Sequence, residues 1–209
     1  MPQLIALPRY IASIATSPLA RFSDLKPWEL TAAAVPIVEQ LLAELPAEDY
    51  LIQGQVAIHR SAKVESGATL KGPLIVGAGS FVASGAYLRG GNWVDQGCCI
   101  GPGAELKSSF VFANTHLAHF NFVGDSVLGS GVNLEAGSIL CNHRNERPGH
   151  ELRVRLGTRL HLLSQSKFGA LVGDGAQLGA NAVLAPGTLL LPGAVVQRGA
   201  LCDQELDAC

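Results

Sequence analysis

The sequence predicts an all-β fold, a parallel β-helix built from six-residue units. Read every sixth residue from Ile52, and the series Ile52, Ile58, Val64, Leu70, Val76, Val82, Leu88, Val94, Ile100, Leu106 and Phe112 is aliphatic or aromatic without a miss. It resumes as Phe122, Leu128, Leu134 and Leu140, and again as Val172, Leu178, Leu184, Leu190 and Val196. Four positions after most of these stands a small residue, as at Ala62, Ala68, Ser80, Ala86, Ala104, Ser126, Ser138, Ala176, Ala182 and Ala194. Neither an α-helix nor a hairpin has a period of six, whereas a short strand followed by a turn does. Three such units close a triangular coil of about 18 residues, with its aliphatic side chains stacked inside and glycine or asparagine at its corners. Successive coils pair in parallel about 4.8 Å apart. Twenty units make roughly seven coils.

Three stretches break the period. Residues 1–50 precede it, and "SDLKPWELTAAAVPIVEQLLAELP" reads as helix, with Ser23 or Asp24 to cap it, Pro27 in the first turn and a kink near Pro36. An open end of a β-helix exposes unpaired strand edges, so this segment is expected to cap that end. The β-helix itself is expected over 51–201, followed by a tail at 202–209. Between Phe112 and Phe122 the interval is ten, which predicts a four-residue bulge beside His119. The third break, an insertion at about 143–166, reads as an extruded hairpin turning at Gly157-Thr158, with Arg144, Arg147, Arg153, Arg155 and Arg159 along it. Such a run of arginines is either a solvated face or an arm that holds phosphate or a neighbouring subunit.

Composition narrows the function. At 48 % hydrophobic and 15 % charged residues the chain buries a real core, and 24 glycines imply many tight turns. A net charge of −2 offers no global field for nucleic acid or an anionic membrane, and no run of 18 apolar residues spans a bilayer. The N-terminus has Arg9 as its only early charge and no clear cleavage site, so a signal peptide is not expected. Cys98, Cys99, Cys141, Cys202 and Cys209 follow no zinc spacing, and reduced thiols in a cytoplasmic protein are the plain expectation.

A period of 18 makes stacking predictions. Arg89 and Lys107 are one coil apart, so they project from the same side, roughly 5 Å from each other. Two cations so stacked repel unless an anion such as a phosphate lies beside them, or unless both are simply solvated. His119 lies just above the pair. A lone histidine is more often structural than catalytic, and its place beside a cationic shelf and at a break in a regular scaffold adds weight to the second.

The pattern resembles the left-handed parallel β-helix of hexapeptide-repeat acyltransferases. The segment "LKSSFVFANTHLAHFNFVGDSVLGSGVNLEAGSILCNHR" is similar to the acetyltransferase β-helix of bifunctional sugar-1-phosphate nucleotidylyltransferase/glucosamine-1-phosphate N-acetyltransferases. Their signature runs H-L-[ST]-Y-[LV]-G-D, then VN-x-GAGT, then an asparagine. Here it reads His119-Phe120-Asn121-Phe122-Val123-Gly124-Asp125, then Val132-Asn133-Leu134-Glu135-Ala136-Gly137-Ser138, then Asn142. The family's "LRPG" arginine and "EMK" lysine fall on Arg89 and Lys107, and "KFGALVGDGAQLGANAVLAPG" is similar to a segment of the archaeal-type branch, which puts Lys167 on its lysine. The likeness covers about residues 55–200. No counterpart of the nucleotidyltransferase domain is present in the sequence.

The resemblance implies an acyl-CoA-dependent acyltransferase, with acetyl-CoA as co-substrate and no metal, acting on an amino-sugar phosphate or a nucleotide sugar. His119 would be the general base, a step that suits an imidazole at neutral pH. Arg89 and Lys107 would clamp phosphate, Asn133 and Asn142 would hold the acceptor, and Phe122 would stand in the substrate-contacting position. Backbone N–H groups of Ala136 and Gly137 would face the thioester oxyanion. Coenzyme A would lie along the later coils past Lys167, Ala185 and Pro186. The resemblance also implies a homotrimer, and an apolar corner of Phe110, Phe112, Phe120 and Phe122 would suit burial against copies of the chain.

Three departures stand out. Phe122 replaces the family's tyrosine, Glu135 replaces a glycine, and a further lysine has no counterpart among Glu146, Pro148 and Glu151. Two other readings therefore stand beside the first. One is a non-catalytic scaffold or regulatory relative. The other is a metal enzyme of the γ-type carbonic anhydrase kind, with His116, His119 and His143 as ligands.

Overall fold

A computed structural model describes residues 5–147, 149 and 151–206. From Val56 onward the chain winds as a parallel β-solenoid, consistent with the left-handed helix expected from the hexads. Each of its three faces carries seven parallel strands. The first face runs from Val56–His59 to Thr188–Leu190, the second from Lys63–Val64 to Val195–Val196, and the third from Thr69–Leu70 to Leu201–Cys202. Inside, Val76, Val82, Leu88, Val94, Ile100 and Leu106 stack as the hexads require, all fully buried.

The register then departs from a strict six. Val94 pairs with Val111 and Leu106 with Val123, so each coil here is one residue shorter than 18. The missing residues are at the corners between the third and first faces, where Lys107 leads to Phe110 and Gly124 leads to Val127. A one-residue slip turns a side chain to the opposite face of its strand. Val111 and Val123 therefore point inward, while Phe112 and Phe122 do not. No four-residue bulge exists beside His119: residues 118–121 form an ordinary corner between the strands His116–Leu117 and Phe122–Gly124. Ile52 is corrected too. It belongs to Tyr50–Gln53, which pairs antiparallel with Val56–His59, and it is half exposed.

The leading segment does not cap an end. It lies along the first face, whose outward residues Ala57, Ile75, Trp93, Phe110, Val127, Leu171 and Leu189 share one buried cluster with Leu7, Ile11, Ile14, Leu19, Trp28, Leu30, Ile37 and Leu41. That face is apolar on both sides, which the hexad pattern alone does not encode. Two short helices are the core of the segment, α1 (Pro27–Ala32) and α2 (Ala34–Ala43). Pro27 opens α1 as expected, but the cap is neither Ser23 nor Asp24: the Glu29 carboxylate accepts the Lys26 N–H at 2.8 Å. The break at Ala33 follows from Pro36, which has no N–H to offer the Ala32 carbonyl.

The insertion forms the expected hairpin, Arg153–Leu156 against Arg159–Leu162, turning through Gly157 and Thr158. It is not extruded. Leu152 and Val154 are fully buried against the first face. The arginines neither bathe in solvent as a set nor form an open phosphate arm, because most of them hold the C-terminal segment. Arg144 is 4 % exposed and pairs with Asp203 through two contacts of 2.7 and 2.8 Å. Arg147 pairs with Glu205 at 2.6 Å, and Arg155 donates to the Gln204 and Glu205 carbonyls. The Gln204 amide in turn pairs with both the N–H and the carbonyl of Leu189, occupying the open edge of the last strand of the first face.

The cysteines differ from the expectation of reduced thiols throughout. Cys98, Cys99 and Cys141 are free, but Cys202 is disulfide-bonded. Burial pushes the Cys98 thiol up to about 12. Pro148 and Cys209 lie outside the described residues. Among the described residues, no helix is long and apolar enough to cross a membrane.

Candidate active site on the third face

The third face is bounded by two corners, and the residues singled out by sequence divide between them. His119 stands at the corner with the second face, exposed, and its carbonyl accepts the Gly137 N–H at 2.9 Å. Among the described residues no side chain hydrogen-bonds its imidazole, so that ring is open to a ligand. The Gly137 N–H is thereby committed to the backbone, which leaves Ala136 as the more available of the two proposed oxyanion donors.

At the opposite corner Arg89 and Lys107 are register partners on neighbouring strands, as the coil length predicts. They are not bare cations. Arg89 donates to Glu105 from Nε at 2.8 Å and from Nη2 at 2.7 Å, and its guanidinium lies 5.7 Å from the Tyr87 ring centroid. Lys107 binds both oxygens of Asp125, at 2.7 and 2.9 Å, with both side chains largely covered. Asn142 Nδ2 donates to the same Asp125 carboxylate. A Cβ added at Gly124 would lie 2.6 Å from Asn142 Nδ2 and 2.8 Å from Phe122 Cζ, so this glycine makes the space in which Phe122 and Asn142 meet. Carboxylates of the same chain offset the repulsion within the stacked pair.

Gly124, the residue beside Lys107 in the register, is five positions after His119, so the two corners are at most about 18 Å apart. Tyr87, Glu105 and Phe122 line the outside of the strip between them. The backbone just after Lys167 meets this corner: the Phe168 N–H donates to the Asn142 carbonyl and the Gly169 N–H to that of Asp125. Lys167 itself is exposed.

The remaining residues are elsewhere. Asn133 projects from the second face, between His116 and Gln177, around the corner that carries His119. Ala185 and Pro186 are buried rather than open to a cofactor, since the Pro186 carbonyl accepts an Arg144 N–H and the Ala185 carbonyl accepts the Thr188 hydroxyl. Glu135 adds no unbalanced charge. Arg198 pairs with both of its oxygens at 2.8 Å, and this contact, with the Ala180 N–H, holds its carboxyl below the usual range. Phe110 and Phe112 are buried within the chain, so they are removed from the apolar corner expected to bury against other copies. No group of three His, Cys, Asp or Glu side chains suited to a metal occurs among the described residues of the chain, His116, His119 and His143 included.

Asp125, Glu105 and Asn121 were not singled out by sequence. Asp125 had a signal, since it stands one nominal coil after Lys107. Glu105 had the register of its own strand. Asn121, nearly fully buried, donates from Nδ2 to the Glu135 carbonyl and the Ser138 hydroxyl, both at 2.9 Å, and so ties the His119 corner to the next coil.

The chain is similar to curated proteins described as "Bifunctional protein GlmU". It is 37 % identical over 70 residues to that of Methanococcus vannielii, a stretch covering 34 % of this chain and 16 % of that protein. It is 34 % identical over 77 residues to that of Carboxydothermus hydrogenoformans, covering 34 % and 17 %. The matched stretch thus spans about a sixth of those relatives' length, and they single out no archaeal branch. No family model matches. Among solved structures, a putative acetyltransferase of Bacillus cereus shares 13 % identity at a TM-score of 0.44, over 67 % of this chain and 71 % of that one. The acetyltransferase domain of PglB from Neisseria gonorrhoeae, in complex with acetyl coenzyme A, shares 15 % at 0.37, over 88 % and 72 %. The fold assignment rests on the strand register and not on these two likenesses. By sequence, this chain is similar to GlmU proteins through about a third of its length.

Proposed function

We propose that the chain is a hexapeptide-repeat acyltransferase that moves an acyl group, acetyl in the first instance, from coenzyme A to the amine of a sugar carrying phosphate or a nucleotide. The observation that carries this reading is one strip of the third face that has, at one end, an imidazole without a side-chain hydrogen bond among the described residues and, at the other, Arg89 and Lys107 beside their own carboxylates. An acceptor lying along the strip would set its amine at His119 and its phosphate at Arg89, Lys107 and Lys167. His119 would take the proton as the amine attacks the thioester carbonyl. The tetrahedral oxyanion would draw on the Ala136 N–H, and the thiolate of coenzyme A would leave. Assembly as a homotrimer belongs to the same proposal, with the partly buried Phe122 as the residue of the expected apolar corner that is left for it. The test is release of free thiol from acetyl-CoA with glucosamine 1-phosphate and with nucleotide-linked amino sugars. Release with none of them would end the reading.

The internal ion pairs favour a second reading, a relative that kept the scaffold and lost turnover. Anion binding separates the two. Lys107→Ala should weaken inorganic sulfate or glucosamine 1-phosphate about ten- to hundredfold, the worth of one charge-assisted contact. Asp125→Asn should act in the opposite direction, because it frees the ammonium while asparagine still tolerates the left-handed backbone at φ 45°. Calorimetric titration reads both. Unchanged affinity in the two variants would make the corner an ordinary structural ion pair.

A further inference from the structure

Seven residues stack at the corner that carries His119, one from each coil: Gly67, Gly85, Gly103, Phe120, Gly137, Asn181 and Gly199, all with positive φ. Six are glycine or asparagine, the residue types that enter the left-handed region most readily. Phe120, at φ 50°, is the exception, and it is also 72 % exposed. A bulky side chain in this conformation is strained, and an exposed phenyl ring gains little from burial to offset the strain. The ring is nevertheless held in a defined place. It lies against the bare backbone of Gly103 in the coil below, where an added Cβ would sit 2.5 Å from Phe120 Cδ1 and 2.8 Å from Cε1.

We propose that Phe120 is a specificity-determining residue, a platform on which the pyranose ring of the acceptor rests. This deepens the acyl-transfer reading and depends on it for the acceptor's orientation. If the phosphate of the acceptor takes the cationic corner, the sugar ring is left at the His119 corner. An amine within reach of His119 is one bond from a ring carbon, so the residue next in sequence to His119 meets the sugar. A nucleobase would lie beyond the phosphates, at the far end of the strip. The C–H face of a pyranose is apolar and matches the face of an aromatic ring. The strain at φ 50° then has a function: it puts an aromatic ring where the fold otherwise uses glycine.

The experiment compares wild type with Phe120→Asn, the residue type of position 181 in the same column, and with Phe120→Trp. The asparagine variant should melt at the wild-type temperature or about 2 to 4 °C above it as strain is relieved. Its KM for the acceptor should rise about three- to tenfold, with KM for acetyl-CoA unchanged, and Phe120→Trp should restore the acceptor KM. Saturation-transfer NMR with glucosamine 1-phosphate and UDP-glucosamine gives a readout independent of turnover. Transfer to the sugar ring protons should be present in wild type and lost in Phe120→Asn. If that loss is seen while no acceptor releases thiol from acetyl-CoA, the platform stands and the acyl-transfer reading fails. Four results overturn the platform: no transfer to wild type, an unchanged acceptor KM, a lower melting temperature that marks the ring as a clamp on Gly103, or a change of mass by light scattering that marks it as a contact between copies.

Discussion

Replacing His119 with alanine is expected to slow acyl transfer about a hundred- to ten-thousandfold, the usual contribution of a general base. The side chain is exposed and no other side chain among the described residues hydrogen-bonds it, so its removal breaks no packing. The corner that carries it is held by its neighbours instead, through the Asn121 amide and the backbone bond from Gly137 to the His119 carbonyl. The melting temperature should therefore stay within the small range of a surface substitution, and affinity for coenzyme A should be unaltered. Thiol-release kinetics beside thermal denaturation measures both. A mutant that turns over at the wild-type rate would make His119 a corner residue and nothing more, and the non-catalytic reading would move ahead. A mutant that loses activity together with its fold would refute the claim that the corner is held without it.

The second large effect is on stability. Arg144→Met should destabilise the protein by about 3–5 kcal/mol, because it strands buried carboxylates without their counter-charge. The partners are Asp203 and Glu205, whose side chains are each 5 % exposed. For a chain of this size that is a fall of roughly 6 to 20 °C in melting temperature. Arg144→Met combined with Asp203→Leu should recover much of the loss, since an apolar pair of similar volume often replaces a buried ion pair without penalty. The same pair sets an acid limit. The hydrogen bond from Arg144 holds the Asp203 carboxyl below its ordinary value, with burial opposing. A carboxyl with a depressed folded pKa stabilises the native state above the unfolded value of about 3.9, and that stability is lost as pH falls through the folded value. Wild type should accordingly lose melting temperature below about pH 4, and Arg144→Met should lose less over the same interval. Equal acid sensitivity in the two proteins would assign the acid transition to other groups.

The hexad was legible because a period of six is matched by a strand and a turn and by little else. Each inward aliphatic residue declares its own position, so the solenoid, its three-sided coil and the stacking of Arg89 on Lys107 could be read directly. The hairpin turning at Gly157 and Thr158 was legible for the same local reason. What sequence alone did not determine was every relation that depends on counting across a gap or on a partner distant in the chain. Single missing residues after Lys107 and Gly124 turned Phe112 and Phe122 outward, because strand side chains alternate and one step reverses the face. The same arithmetic removed the bulge that had set His119 apart. The leading segment and the arginines are amphipathic, and a pattern of apolar or charged residues states that a partner exists without stating which one. Only the tertiary structure decided that the segment covers the first face, that Arg144 and Arg147 hold the chain's own C-terminal carboxylates, and that Lys107 is held by Asp125. Periodicity is a property of neighbours in sequence, whereas charge pairing and burial are settled by whichever residues the folded chain brings together.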